Sequence, residues 1–154
     1  MNLNGSRSVF QQLHLAGLLA CTSDTSILSF GDYVNKDGLI LRLSCSEEKY
    51  GSGLQNLISM AHPIMVEGLE LSDPIITFAI QYSAYKVIPV AYANELLRHS
   101  ETVFANGSMD LDKAAWLLKV MSNWLTQVIA DGYHKVHQPG FNNLDEKQRG
   151  RMGV

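Results

Sequence analysis

The chain is short of nearly everything that would place it in a special class. It has two cysteines, Cys21 and Cys45, and four prolines in 154 residues. A disulfide framework is therefore not expected, and two thiols in a chain of this size read as small buried hydrophobes. Charged residues make up 18% of the chain, and 15 acidic against 12 basic side chains leave a net charge of only −3. That is too little basic charge for a nucleic-acid groove and too little acid for a nucleic-acid mimic. No five like charges run together. No apolar run reaches the roughly 18 residues of a membrane span. Leu18-Leu19-Ala20-Cys21 resembles the end of a lipoprotein leader. Gln11, Gln12 and His14 break the apolar stretch that such a leader needs, so the segment is expected to be helix and the protein cytoplasmic.

Catalytic signatures are missing too. There is no phosphate-loop lysine pattern, no dinucleotide glycine fingerprint, no H-E-x-x-H, no C-x-x-C and no G-x-S-x-G. The glycines of Tyr50-Gly51-Ser52-Gly53-Leu54 lack the lysine and the helix start that phosphate binding requires. Asn4-Gly5-Ser6 and Asn106-Gly107-Ser108 satisfy the glycosylation sequon but read as turns.

What remains is a hydrophobic share of 46% in a chain of single-domain length. Residues 8–20 carry Val9, Leu13, Ala16 and Ala20 at helical spacing. Residues 26–34 read as a strand with a glycine inside. Asn35-Lys36-Asp37-Gly38 is a hairpin turn, and Leu39 to Cys45 forms the returning strand, its odd-numbered residues facing the core. Leu57 to His62 is a third strand, 63–73 a polar loop, and Pro74 opens a fourth strand, Ile75 to Tyr82. A fifth covers Tyr85 to Tyr92, with Pro89 marking an edge or an interruption. Residues 93–105 read as a short helix or a loop, with helix favoured. From Leu111 to Ala130 the apolar residues form a broad stripe over five turns, with Ser108 or Asp110 as cap and Gly132 as stop. The expected fold is α+β: an antiparallel sheet of four or five strands, flanked by an N-terminal helix and this long C-terminal one. Residues 1–136 form one domain, and 137–154 a flexible or partner-ordered tail.

Four sets of residues can carry chemistry or binding. His62, Glu67, Glu70 and Asp73 put an imidazole and three carboxylates in one strand-loop-strand unit, a donor set for a divalent metal or for activating water. The plainer reading makes His62 a core-edge histidine and the acids solvated loop residues. His134 and His137 stand three apart beyond the long helix, and Cys45 with His62 offers a thiol-imidazole pair. Trp124 falls in the apolar stripe, but Trp116 lies off it. With Tyr82, Tyr85 and Tyr92 it is a candidate aromatic binding surface.

Ala61-His62, the acidic stretch Glu67 to Leu71, Asp73-Pro74, Pro89 to Tyr92 with Asn94, and Trp124 to Gly132-Tyr133 occur in that order. Residues 56 to about 133 thus resemble an uncharacterised domain family carried by plasmids, integrative conjugative elements and phages. An Asn-Gly-Asp element of that family's loop is replaced here by Val66-Glu67-Gly68-Leu69-Glu70. The resemblance implies an accessory protein of a mobile element and implies no enzymatic activity. The expected function is a non-enzymatic protein-interaction module without a cofactor. Its partner would be a host or element protein, a host defence complex among the candidates, with a homodimer also open. The alternative is a small metal-dependent hydrolase using His62 and the loop carboxylates.

Overall fold

The computed structural model describes residues 5–21 and 26–136. Helix α1 (Ser6–Leu15) is followed by strands β1 (Leu19–Cys21), β2 (Ser26–Leu28), β3 (Gly31–Val34), β4 (Ile40–Cys45), β5 (Ile58–Val66), β6 (Leu69–Gln81), β7 (Lys86–Asn94), β8 (His99–Thr102), β9 (Phe104–Ala105) and β10 (Ser108–Met109). Helix α2 (Leu111–Asp131) and β11 (His134–Lys135) complete the order. Strands β3 to β8 form an antiparallel meander. β11 returns to pair with β3, giving a seven-stranded sheet in the order β11-β3-β4-β5-β6-β7-β8. The α+β class is as expected, but the sheet is larger than four or five strands.

Helix α2 closes one face of this sheet. Ala114, Leu117, Leu118, Met121, Leu125 and Val128 are buried at three- and four-residue spacing. They join Leu41, Leu43, Met60, Ile76, Phe78 and Val87 from the strands and Val9, Phe10 and Leu13 from α1 in one core. Asp110 caps the helix, accepting from the amides of Asp112 and Lys113 at 3.1 Å each. Gly132 ends it in the left-handed conformation, φ 71°. Helix α1 is fixed by polar bonds as well as by packing. The Ser6 hydroxyl donates to the Val87 carbonyl (2.7 Å), and the Gln12 amide nitrogen donates to the Ser122 carbonyl and the Thr126 hydroxyl of α2.

Four expectations need correction. Helix α1 stops at Leu15, not residue 20. Gly17 takes φ 80°, and the amides of Gly17 and Leu18 turn back to the carbonyls of His14 and Leu13, a two-bond helix stop. The strand expected over 26–34 splits into β2 and β3, which belong to different sheets. Residues 63–73 are not a loop. β5 and β6 run on through them and meet at Glu67-Gly68, a two-residue turn with φ 51° and 83°. Residues 93–105 contain no helix and instead form the end of β7, a turn, β8 and β9.

The prolines explain part of this. Ala61 faces Ile75 and Pro63 faces Ser72, so Asp73 and the cis-Pro74 stand together opposite His62 in a bulge. Pro89 also sits at a bulge, beside Val90, and so tolerates an interior strand. The Asn35–Gly38 hairpin holds as expected, with the buried Asn35 side chain accepting from the amides of Asp37 (3.0 Å) and Leu39 (2.9 Å). Of the face expected to point inward on β4, Leu41 and Leu43 are buried, but Leu39 and Cys45 are exposed at its ends.

The Glu67-Gly68 turn has both central residues at positive φ, where Asn-Gly is the favoured pair. Glu67→Asn relieves a left-handed glutamate and is expected to raise stability by roughly 0.5 kcal/mol. Thermal melting of the two proteins checks this.

Candidate functional site

The His62 group does not assemble. Arg42 on β4 clamps Asp32 through Nε–Oδ1 (2.8 Å) and Nη2–Oδ2 (3.2 Å), and its Nη1 holds Glu70 at 2.8 Å. These bonds, the one to Asp32 foremost, push the guanidinium pKa further up. Asp73 accepts from the side-chain amide of Asn94, and Glu67 is exposed in its turn. His62 is half-buried and faces Asp73 across the bulge. Among the described residues no three histidine, cysteine, aspartate or glutamate side chains gather closely enough to hold a metal ion.

The other pairs part as well. Cys45 is a free thiol opposite Ile58, while His62 lies four residues further along β5, about 13 Å away at strand spacing. His134 belongs to β11 rather than to a continued helix, and His137 lies outside the described residues. The Cys21 side chain also lies outside them.

The four aromatic candidates divide between the two ends of β7. Tyr82 opens the 3-10 turn joining β6 to β7, and Tyr85 follows it. Burial raises the pKa of the Tyr82 phenol. Tyr92 sits seven residues along, where its ring meets Trp116 of α2 edge to face at 5.3 Å and 74°. Trp124 packs half-buried against the core as its place in the stripe requires, whereas Trp116 is 39% exposed.

Trp116 lines a cleft of about 370 Å³ with His99, Glu101, Asp112 and Lys113. The cleft lies between the first turns of α2 and β8, the end strand of the sheet. His99 and Glu101 alternate with Ser100 and so share the face of β8 that meets α2. Tyr92 lies opposite Glu101 across the β7–β8 pair and also packs its ring against His99 at 5.6 Å. The Glu101 carboxylate is held from both sides, by His99 Nε2 at 3.0 Å and Lys113 Nζ at 3.2 Å. The bond to His99 first, then the bond and charge of Lys113, lower its pKa.

Apolar side chains continue beside the cleft. The turn before His99 exposes Leu96 and Leu97, the latter at 70%. In an antiparallel meander the β5–β6 and β7–β8 connections fall at the same end of the sheet. That end therefore also carries the exposed Leu69 and, on the opposite face of the sheet with Glu70, the exposed Met65.

Comparison with protein-family models, with curated proteins and with solved structures returned no match.

The sequence reading names Trp116 and Tyr92 as candidates but not His99, Glu101 or Lys113, which the structure brings beside them. With 93–105 read as a short helix or a loop, the strand alternation that puts His99 and Glu101 on one face is out of view. The clamp on Glu101 has a pH consequence. A carboxylate whose folded pKa is lowered adds stability above its unfolded pKa, and that contribution disappears as pH falls through the folded value. Carboxyl-carbon NMR is expected to find Glu101 titrating below an ordinary glutamate, and Lys113→Met should move its midpoint upward.

Proposed function

We propose that the protein is a non-enzymatic interaction module that engages a protein partner at the Trp116 end of its sheet. The observation carrying this reading is the exposure of Trp116 in a cleft whose polar groups are already organised. Tryptophan is the residue type most enriched among dominant interface contacts, and these cluster in desolvated pockets. Trp116 rests edge-on against Tyr92, and Glu101 is locked by Lys113 and His99. Little side-chain ordering is left to be lost on binding. Leu96 and Leu97, exposed in the turn just before β8, add apolar area at that end, and exposed apolar surface of this kind marks interaction sites.

The resemblance to mobile-element accessory domains supports a host or element protein as the partner, an inhibited host defence complex being its narrowest form. The metal-dependent hydrolase draws less support. Glu70 serves Arg42, Asp73 serves Asn94, and Glu67 serves a turn.

Affinity capture from a host lysate, followed by mass spectrometry, tests the proposal. One stoichiometric protein is expected with the native chain and with His62→Ala. It should be lost with Trp116→Ser and with Leu97→Ser, the second chosen because its side chain contributes little to the core. A partner retained by both variants, or lost with His62→Ala while that variant stays folded, would contradict it.

A further inference from the structure

At the other end of β7, helix α1 and the β6–β7 turn border a second cleft, about 380 Å³ and open to solvent. It is lined by Arg7, Phe10, Gln11, His14 and Tyr85. Arg7, Gln11 and His14 fall on one stripe of α1 by their spacing of four and three. No carboxylate lines the cleft, and Arg7 has no acidic partner among the described residues.

The aromatic wall is built rather than incidental. Phe10 is buried, and its ring contacts His14 at 5.3 Å and Tyr85 at 5.7 Å, both edge to face. Tyr85 is 63% exposed and takes a left-handed backbone, φ 55°, closed by its amide donating to the Tyr82 carbonyl at 3.2 Å. That conformation is disfavoured for a bulky residue, where glycine or asparagine would be relaxed. The turn thus presents a large ring to solvent against both its backbone preference and its hydrophobicity.

The two parts select for one chemistry. A guanidinium binds carboxylate or phosphate through paired hydrogen bonds, and aromatic faces take flat rings. A cation is opposed by Arg7, and a plain hydrocarbon leaves the guanidinium unused. The volume lies within the range of small-molecule sites.

We propose that the Arg7–Tyr85 cleft binds a small aromatic anion, a flat ring bearing a phosphate or a carboxylate. The anion sits on Arg7 and the ring lies against Tyr85, with the Gln11 amide available to polar atoms at the ring edge. This site is independent of the Trp116 surface.

Chemical-shift titration of the full ¹⁵N-labelled chain tests it with two ring-bearing anions and their halves: adenosine monophosphate with adenosine and inorganic phosphate for the phosphate form, and benzoate with benzyl alcohol and acetate for the carboxylate form. At least one of the two ring-bearing anions is expected to shift the amides of Arg7, Gln11 and Tyr85, and to bind about tenfold more tightly than either of its halves. The tighter of the two identifies the anion. Arg7→Gln and Tyr85→Gly should each weaken that binding about tenfold while the remaining spectrum keeps its dispersion. The glycine variant retains the left-handed turn and removes only the ring. Three results would overturn the site: no shift at these amides with either ring-bearing anion, halves that bind as tightly as the whole, or an Arg7→Gln protein that binds unchanged.

Discussion

Two antiparallel faces of one helix cannot both be buried by a single sheet, and α2 is built around that constraint. Its inner row, from Ala114 through Leu117, Leu118, Met121 and Leu125 to Val128, covers the strands. Without that cover Leu41, Leu43, Met60, Ile76 and Phe78 would face water along the middle of the sheet. Each such side chain contributes roughly 1.5–3 kcal/mol when fully buried. The outer row is free to carry something else, and at Trp116 it does. Asp110 and Gly132 fix where the helix begins and ends, and the buried row facing the strands sets its rotation, and with it the placing of Trp116 beside β8.

Strand β7 connects the two places where the surface is unusual. It takes the Ser6 hydroxyl bond at Val87, carries a bulge at Pro89 and Val90, and ends at Tyr92 to Asn94. One end presents Tyr85 against α1, and the other presents Tyr92 against α2. The polar interactions follow a similar division of labour. Arg42 joins three strands by its hold on Asp32 and Glu70, which uses the acidic connector for architecture. Glu101 is instead shared between a strand histidine and a helix lysine at an open cleft. Both are partly exposed, and exposed ion pairs contribute modestly to stability. Their effect here is to fix geometry.

The sequence was most legible where one period ran long enough to dominate. The stripe from Leu111 onward needed only a helix to explain it, and Asn35 to Gly38 needed only a turn. It was least legible where polar residues occupy a strand. Glu67, Glu70 and Asp73 suggested a loop, yet Ile64 and Val66 face Leu71 and Leu69 across a two-residue turn, and Asp73 with Pro74 is absorbed by a bulge. Gly17 was a helix stop read as a helix interior, because Ala20 prolonged the apparent period. The helix favoured over 93–105 is absent, and its Leu96 and Leu97 sit exposed in a turn. The candidate site suffered from the same error: with 93–105 read as helix, His99 and Glu101 could not be placed on the face that meets α2. The tyrosines were grouped by proximity in sequence, whereas a nine-residue strand separates their sites.

Equilibrium urea unfolding of Leu125→Ala tests the role of α2 most directly. Leu125 is fully buried in the helix's inner row. If that row closes the core, the substitution lowers stability by roughly 2–5 kcal/mol and leaves the urea dependence unchanged. A loss below about 1 kcal/mol, the ordinary range of a surface position, would mean that the sheet holds together without the helix.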